Sequence, residues 1–268
     1  MIMFELSNFL IIILCLLSIT FIIILIKGIT LGQPSKNRVV MGTSLPVYIS
    51  ITSIYKNQDI LLQTLQYIMK QTDYQINILH LSVEPTMLDT GFKDQKITNS
   101  KLLNFIDNNS IIDIKWVKNI GPYCKLLPLL KDKWYEDCII ITIDDDTLYD
   151  TYLIENLIND YNEHKCVIGY RGFTPLFDKL ENFDYLKRNK LQHLSSYNFL
   201  TGKGGVLYKP QFFHKTGDLI FNHNIYLDTC SGADDIWFYI VRLLNNVKGY
   251  VNDKKWQVKD LPSNGLYA

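Results

Sequence analysis

The apolar positions fall into three stretches of different character. From Phe9 to Ile26 the chain is apolar without a break except for Ser18 and Thr20. From 30 to 45, Gly, Pro, Ser and charged side chains mix without a sustained period, as a stalk would. From Pro46 onward, runs of strand length alternate with helical patterns. Val47 to Ile54 predicts a strand, and Asp59 to Lys70, with Ile60, Leu61, Thr64, Leu65 and Ile68 on one face, predicts a helix. Gln75 to Val83 predicts the next strand, followed by a helix near 100–108, a strand at 111–117, a short helix at 123–130 and the strand Cys138 to Ile143. Beyond it the pattern predicts a helix at 152–161, a strand at 166–170, an irregular aromatic stretch at 183–198, a strand at 206–208 and a helix at 234–244. Alternation of this kind specifies an α/β domain over 46–268, a mostly parallel sheet flanked by helices on both faces. Ligands of such sheets gather at the carboxyl ends of the strands, so chemistry is expected just after a strand.

The first stretch predicts one N-terminal transmembrane helix within residues 1–29. At about 1.5 Å per residue it spans about 27 Å, close to the roughly 30 Å hydrocarbon core of a bilayer. A cleaved signal peptide fits less well: Glu5 precedes the run, no Lys or Arg does, and no A-x-A site follows. The sequence therefore predicts a single-pass membrane protein. Lys27, Lys36 and Arg38 follow the run, which by the positive-inside tendency places the large C-terminal part in the cytoplasm. The sequon Asn108-Asn109-Ser110 is usable only in a lumen and decides nothing alone.

Charge and composition remove several function classes. The 27 basic and 27 acidic side chains cancel, and no basic tail exists, so nucleic-acid binding through phosphate neutralisation is not expected. With 47% hydrophobic residues, 14 Gly and 8 Pro, the chain is neither collagen-like nor disordered. The five cysteines, at 15, 124, 138, 166 and 230, form no C-x-x-C pair, which argues against a zinc framework or a dense disulfide scaffold.

Candidate chemistry is concentrated in a few segments. Ile139 to Ile143 is a β-branched strand running into Asp144-Asp145-Asp146-Thr147. If the extended backbone continues, Asp144 and Asp146 share a side and Asp145 points away. Two carboxylates on one side repel unless a cation lies between them, and a hard divalent ion, Mg²⁺ or Mn²⁺, suits that place while keeping positions open for phosphate oxygens. The same acids also suit a helix N-terminus near Tyr149. Lys125 follows Gly121-Pro122, where its ammonium can meet a diphosphate or a base edge or stand in water. Ser53 ends the first strand, where it suits a nucleotide contact or a turn. Gly202-Lys203-Gly204-Gly205 can present backbone N–H groups to a sugar or phosphate, or simply turn the chain into a strand; it lacks P-loop spacing. Asp234-Asp235 opens an apolar helix, either as caps or as a carboxylate pair in which one pKa is raised towards the range of a useful base.

Taken in order, the VYISITSI strand, Met69-Lys70-Gln71-Thr72, Gly121-Pro122-Tyr123-Cys124-Lys125-Leu126, the IDDDT strand end, Gly202 to Gly205 and Ser231-Gly232-Ala233-Asp234-Asp235 resemble the nucleotide-sugar glycosyltransferases of the GT-A type, family 2-like. The resemblance covers about 46–268. It implies a GT-A (Rossmann-like) fold, a UDP- or GDP-sugar as donor, Mn²⁺ or Mg²⁺ as cofactor, and a glycan, protein or lipid as acceptor, with the membrane as a further partner. It also implies Asp146 as the direct metal ligand, Asp144 facing the metal or ribose, Asp145 contacting the donor, Lys125 and Ser53 on the nucleotide, Gly204 and Gly205 on the substrate, Asp235 as base and Asp234 as its orienting partner. Two departures narrow the expectation. The last histidine, His223, precedes the acidic pair, leaving His214 as a poor substitute for a late metal ligand; and there is no Q-x-x-R-W element of processive synthases, so one sugar per turnover is expected. The competing expectations are a haloacid-dehalogenase-like phosphohydrolase and an inactive sugar-binding membrane protein on the same fold. The former asks for Thr or Val where Leu148 stands, and for the motif after the first strand of its core.

Overall fold

The computed structural model describes residues 43–71, 76–86, 89–175, 188–189, 191–252 and 259–262. Strands β1 (Val47–Thr52), β2 (Ile76–Leu81), β3 (Ile112–Trp116) and β4 (Ile139–Ile143) run parallel, separated by helices α1 (Gln58–Ile68), α2 (Ser100–Asp107) and α3 (Leu127–Asp132). After a short β5 (Thr147–Leu148) and α4 (Leu153–His164) come β6 (Val167–Gly169), β7 (Gly172–Pro175), β8 (Arg188–Asn189), β9 (Leu194–Ser195) and β10 (Phe199–Leu200). The chain continues through β11 (Val206–Tyr208), α5 (His223–Cys230), α6 (Asp234–Leu244), β12 (Gly249–Val251) and β13 (Lys259–Asp260).

The main sheet has the order β3-β2-β1-β4-β11-β6-β12-β9, with β11 and β9 antiparallel to their neighbours. β7 pairs with β10 and β8, and β13 with β5, outside that sheet. The mostly parallel sheet flanked by helices fits a Rossmann-like GT-A fold.

Alternation along β4 shows why the sheet is covered on both faces. Ile139, Ile141 and Ile143 pack with Leu61, Leu65 and Ile68 of α1 and Leu153, Leu157 and Ile158 of α4. Ile140 packs on the other face with Leu127, Trp237, Phe238 and Val241. A strand buried on both faces favours apolar side chains throughout, hence four isoleucines in five positions; the exception, Thr142, is buried and donates its hydroxyl to the Val206 carbonyl at 3.4 Å. β2 and β3 extend the sheet from one side of β1, whereas β4 lies on the other. The chain thus reverses its strand order between β1 and β4, and the crevice at their carboxyl ends is where ligands of such sheets bind.

The predicted helix at 123–130 is instead a 3-10 turn, Gly121–Lys125, followed by α3; Pro122 and Pro128 suit these two starts. The predicted helix at 234–244 and strand at 206–208 lie at those positions. Within the aromatic stretch the described residues form β8 and β9.

The single-pass membrane expectation is corrected. Among the described residues no helix is long and apolar enough to cross a membrane. The 9–26 run, with the proposed anchor and most of the stalk, lies outside the described residues. The localisation drawn from it is withdrawn.

Candidate functional site

A cavity of about 400 Å³ opens at the β1/β4 reversal. Its walls come from the ends of β1, β2, β3 and β4, the turn after β6, the loop before β11 and the first turn of α6. Of the expected site residues, Ser53, Lys125, Asp144, Asp145, Asp146, Asp234 and Asp235 all line it; Gly204 and Gly205 do not.

The strand ends at Ile143, so the two-residue alternation stops before the acids and all three reach the cavity. Asp144 turns towards Lys125, with Nζ 3.1 Å from Oδ1, and its amide donates to the buried Tyr149 hydroxyl at 2.8 Å. Asp145 turns towards β1, where its Oδ2 accepts hydrogen bonds from Ser53 Oγ and, at 3.3 Å, from Asn57 Nδ2. Its carbonyl accepts from Thr64 Oγ1 of α1 at 2.6 Å. Burial pushes the Asp145 carboxyl up to about 7, opposed by the Ser53 bond and reinforced by Asp146. Asp146 accepts from Thr147 Oγ1 at 3.3 Å, and its carbonyl accepts from Leu261 N at 2.8 Å, which ties the acidic turn to the β13 segment.

Lys125 sits at the centre of the charge arrangement. Gly121, at φ +65°, and Pro122 shape its turn, and the Tyr123 hydroxyl donates to the Cys230 carbonyl at 2.6 Å, docking the turn against the end of α5. Ser50 Oγ, inside β1, donates to the Lys125 carbonyl. The ammonium is buried between Asp144 and Asp234, whose Oδ2 lies 3.0 Å away in a contact that is ionic rather than well aligned for hydrogen bonding. Burial disfavours its charge, but Asp144, Asp234 and Asp235 outweigh that and hold its pKa well above the usual lysine range. Lys125 is thus a fixed internal cation whose charge already has carboxylate partners.

Asp234 and Asp235 occupy the first turn of α6, and neither caps it; the cap position is Ala233, with no side-chain bond. Asp235 instead accepts the Gly202 N–H at both carboxylate oxygens, each 3.0 Å away. A Cβ on Gly202 would run into Lys125 Nζ and stand 3.0 Å from Asp235 Oδ1, so a larger residue here would have to displace the ammonium or the carboxylate. Burial pushes the Asp235 carboxyl up to about 6; Lys125 and the Gly202 bond act against this, while Asp234 adds to it.

The other two loop glycines serve the backbone. A Cβ on Gly204 would stand 2.6 Å from Arg171 N and Cβ, and Gly205, at φ +76°, packs towards Leu153. Thr201 and Lys203 are the residues of this loop segment that face the cavity, beside Gly202.

No family model matches the chain, and no curated protein matches it. Solved structures do match in fold. The mannosyltransferase PcManGT from Pyrobaculum calidifontis, in complex with GDP-Man and Mn²⁺, aligns at TM-score 0.51 and 10% identity over 83% of this chain and 59% of that one. Residues 1–349 of S. aureus TarS align at TM-score 0.50, with 11% identity for the complex with UDP-GlcNAc and 12% for the complex with UDP. The present chain covers 60% and 59% of those two chains, and they cover 82% and 79% of it. At these identities the likeness is one of fold.

Among the described residues no group of three or more His, Cys, Asp or Glu is placed to hold a metal. No histidine lines the cavity; His214 lies against Trp134, its Nε2 2.8 Å from the Trp134 carbonyl. A closed protein cage is therefore not what these residues offer. Two carboxylates on one turn, one of them already balanced by Lys125, suit a hard ion that keeps water and takes substrate phosphate oxygens.

Residue patterns gave no hint of Arg171, Asn57 or the Lys203–Asp260 pair at 2.9 Å. Asn57 sits five residues after the end of β1, and its reach to Asp145 is set by the turn that follows the strand rather than by any residue pattern. Arg171 is a lone arginine in a turn and carries no signal.

Proposed function

We propose that residues 46–268 transfer a single sugar from a nucleotide-sugar donor, UDP- or GDP-linked, to an acceptor hydroxyl. The observation that carries this is the convergence, in one cavity at the strand-order reversal, of the Asp144–Asp146 turn and the Asp234–Asp235 pair from opposite halves of the chain. The fold likeness to enzymes solved with UDP-GlcNAc and with GDP-Man and Mn²⁺ supports it.

In this reading Ser53 and Asn57 orient Asp145 at the nucleotide side, and Asp146, with Asp144, would hold Mn²⁺ or Mg²⁺. Such an ion, when bound, supplies a Lewis acid that offsets charge on the departing diphosphate. Asp235 takes the proton from the acceptor hydroxyl as its oxygen attacks the anomeric carbon and the nucleoside diphosphate leaves. Its raised pKa makes it a stronger base than a solvated aspartate, and the Gly202 N–H fixes its plane. Asp234 and Lys125 keep a compensated charge behind it. Cys124 also lines the cavity, but burial pushes its thiol up to about 11, so it is no nucleophile at neutral pH.

The test uses the full chain with Mn²⁺ and a panel of UDP-, GDP- and dTDP-sugars, read by thermal stabilisation and donor hydrolysis. A binding donor at a hundredfold excess over Kd should add about 2.7 kcal/mol to apparent stability. Stabilisation by none of them, together with phosphate release from p-nitrophenyl phosphate, would replace this reading with the phosphohydrolase one.

A further inference from the structure

Seven carboxylates and three cations line the cavity. Lys125 is engaged by Asp144 and Asp234, and Lys203 by Asp260. Arg171, exposed at the cavity wall, has no carboxylate within ion-pair distance among the described residues.

Its place is built rather than incidental. The Arg171 carbonyl accepts the Thr201 N–H at 3.0 Å. Gly204 leaves room for the Arg171 backbone that any Cβ would fill, and a Cβ on Gly172 would strike the Phe199 carbonyl at 2.5 Å. Two glycines thus fix the backbone from which the exposed Arg171 side chain leaves. Thr201, one residue before the Gly202 that binds Asp235, lines the same wall; its hydroxyl is buried and without a hydrogen-bond partner among the described residues. Arg171 therefore belongs to the side of the cavity that carries Asp235, across the strand ends from Ser53, Asn57 and Asp145.

We propose that Arg171 forms an anion subsite on this side, taking a phosphate or carboxylate group of the acceptor. The assignment rests on the sugar-transfer reading given above. A guanidinium recognises such groups through two parallel N–H bonds, which a lysine cannot reproduce. In a cavity otherwise rich in acids, Arg171 is the wall cation with no carboxylate partner among the described residues, so an anionic acceptor group meets least competition there. The competing source of the same chemistry is the diphosphate of the donor.

The experiment compares the full chain with Arg171→Gln and Arg171→Lys, using UDP or GDP as the donor-side probe. Glucose 6-phosphate, glucuronate and glucose serve as acceptor-side probes, added with the nucleoside diphosphate. The expected result is at least tenfold tighter binding of the two anionic sugars than of glucose. Arg171→Gln should lose that preference and Arg171→Lys keep part of it, with Kd for the nucleoside diphosphate changed less than twofold. Equal affinity for charged and neutral sugars in the unmodified protein overturns the proposal. So does a tenfold weakening of UDP or GDP in Arg171→Gln, which would assign the cation to the leaving group. Should the unmodified protein bind no nucleoside diphosphate, the sugar-transfer reading fails first. Inorganic phosphate alone then judges the anion site: binding that Arg171→Gln abolishes upholds an anion site without the acceptor role, and no binding overturns it.

Discussion

Lys125 and Asp234 meet at 3.0 Å in the interior, joining the turn after β3 to the first turn of α6. Removing one partner of a buried pair leaves an uncompensated charge, at a cost of about 3–5 kcal/mol. Lys125→Met should therefore lower stability by about that amount in urea unfolding, whereas Lys133→Met, at the exposed Glu136 pair, should change it by less than about 1 kcal/mol. Similar losses in both would mean that the interior pair contributes nothing special.

Gly202→Ala places a methyl group against Lys125 Nζ and Asp235. The expected outcome is a loss of about 1–3 kcal/mol from overpacking, with a fall in turnover because Asp235 is displaced. A variant with unchanged melting and unchanged donor hydrolysis would show that the loop has slack.

Turnover at saturating donor should rise with pH through a limb near 6, since Asp235 acts only when ionised and its pKa is raised to about 6, while Asp145, raised to about 7, titrates on the donor side of the same cavity. Asp235→Asn should retain donor binding while turnover falls by roughly 10²-fold or more. The pH–rate profile and the donor Kd, measured on the same preparations, check both; loss of donor binding in Asp235→Asn would contradict the role.

Asp146→Asn should abolish the Mn²⁺-dependent part of donor stabilisation and leave the metal-free melting temperature nearly unchanged. Thermal melts with and without EDTA decide it. Persistence of the Mn²⁺ effect would move the ion's ligand elsewhere.

His80, buried in β2 with Nδ1 3.3 Å from Ser50 Oγ, has its pKa lowered to about 4, chiefly by burial and then by Lys115. A histidine that ionises at about 6.5 when unfolded but at about 4 when folded favours the native state fully above pH 6.5. That contribution is lost as pH falls towards 4, about 3 kcal/mol in all. Asp145 and Asp235, with raised pKa values, act in the opposite sense over part of the same range. The measurement is therefore the difference between the unmodified chain and His80→Gln in urea unfolding at pH 7.5 and pH 4.5. That difference should shrink in acid.

What the sequence disclosed follows from the range of the interactions. The β-branched run of β4 is legible because burial on both faces favours apolar residues, with Thr142 the one hydroxyl, and the acids stand out by ending it. The helix at Asp234–Leu244 is legible from its period, but whether its acids cap the helix depended on Gly202, far away in the chain. The same holds for Lys125: a solvated lysine and one locked between two aspartates have identical neighbours in sequence. β7, β10 and β12 are two to four residues long, too short for alternation to declare itself. Expecting Asp145 to face away assumed extended backbone beyond Ile143, where the strand has already stopped.

Every ionisable group on the cavity wall hangs from a connection or the first turn of a helix, while the isoleucines of β4 stay within the sheet. The chemistry of the cavity wall can therefore change through a handful of turns with no repacking of the interior ladder beneath.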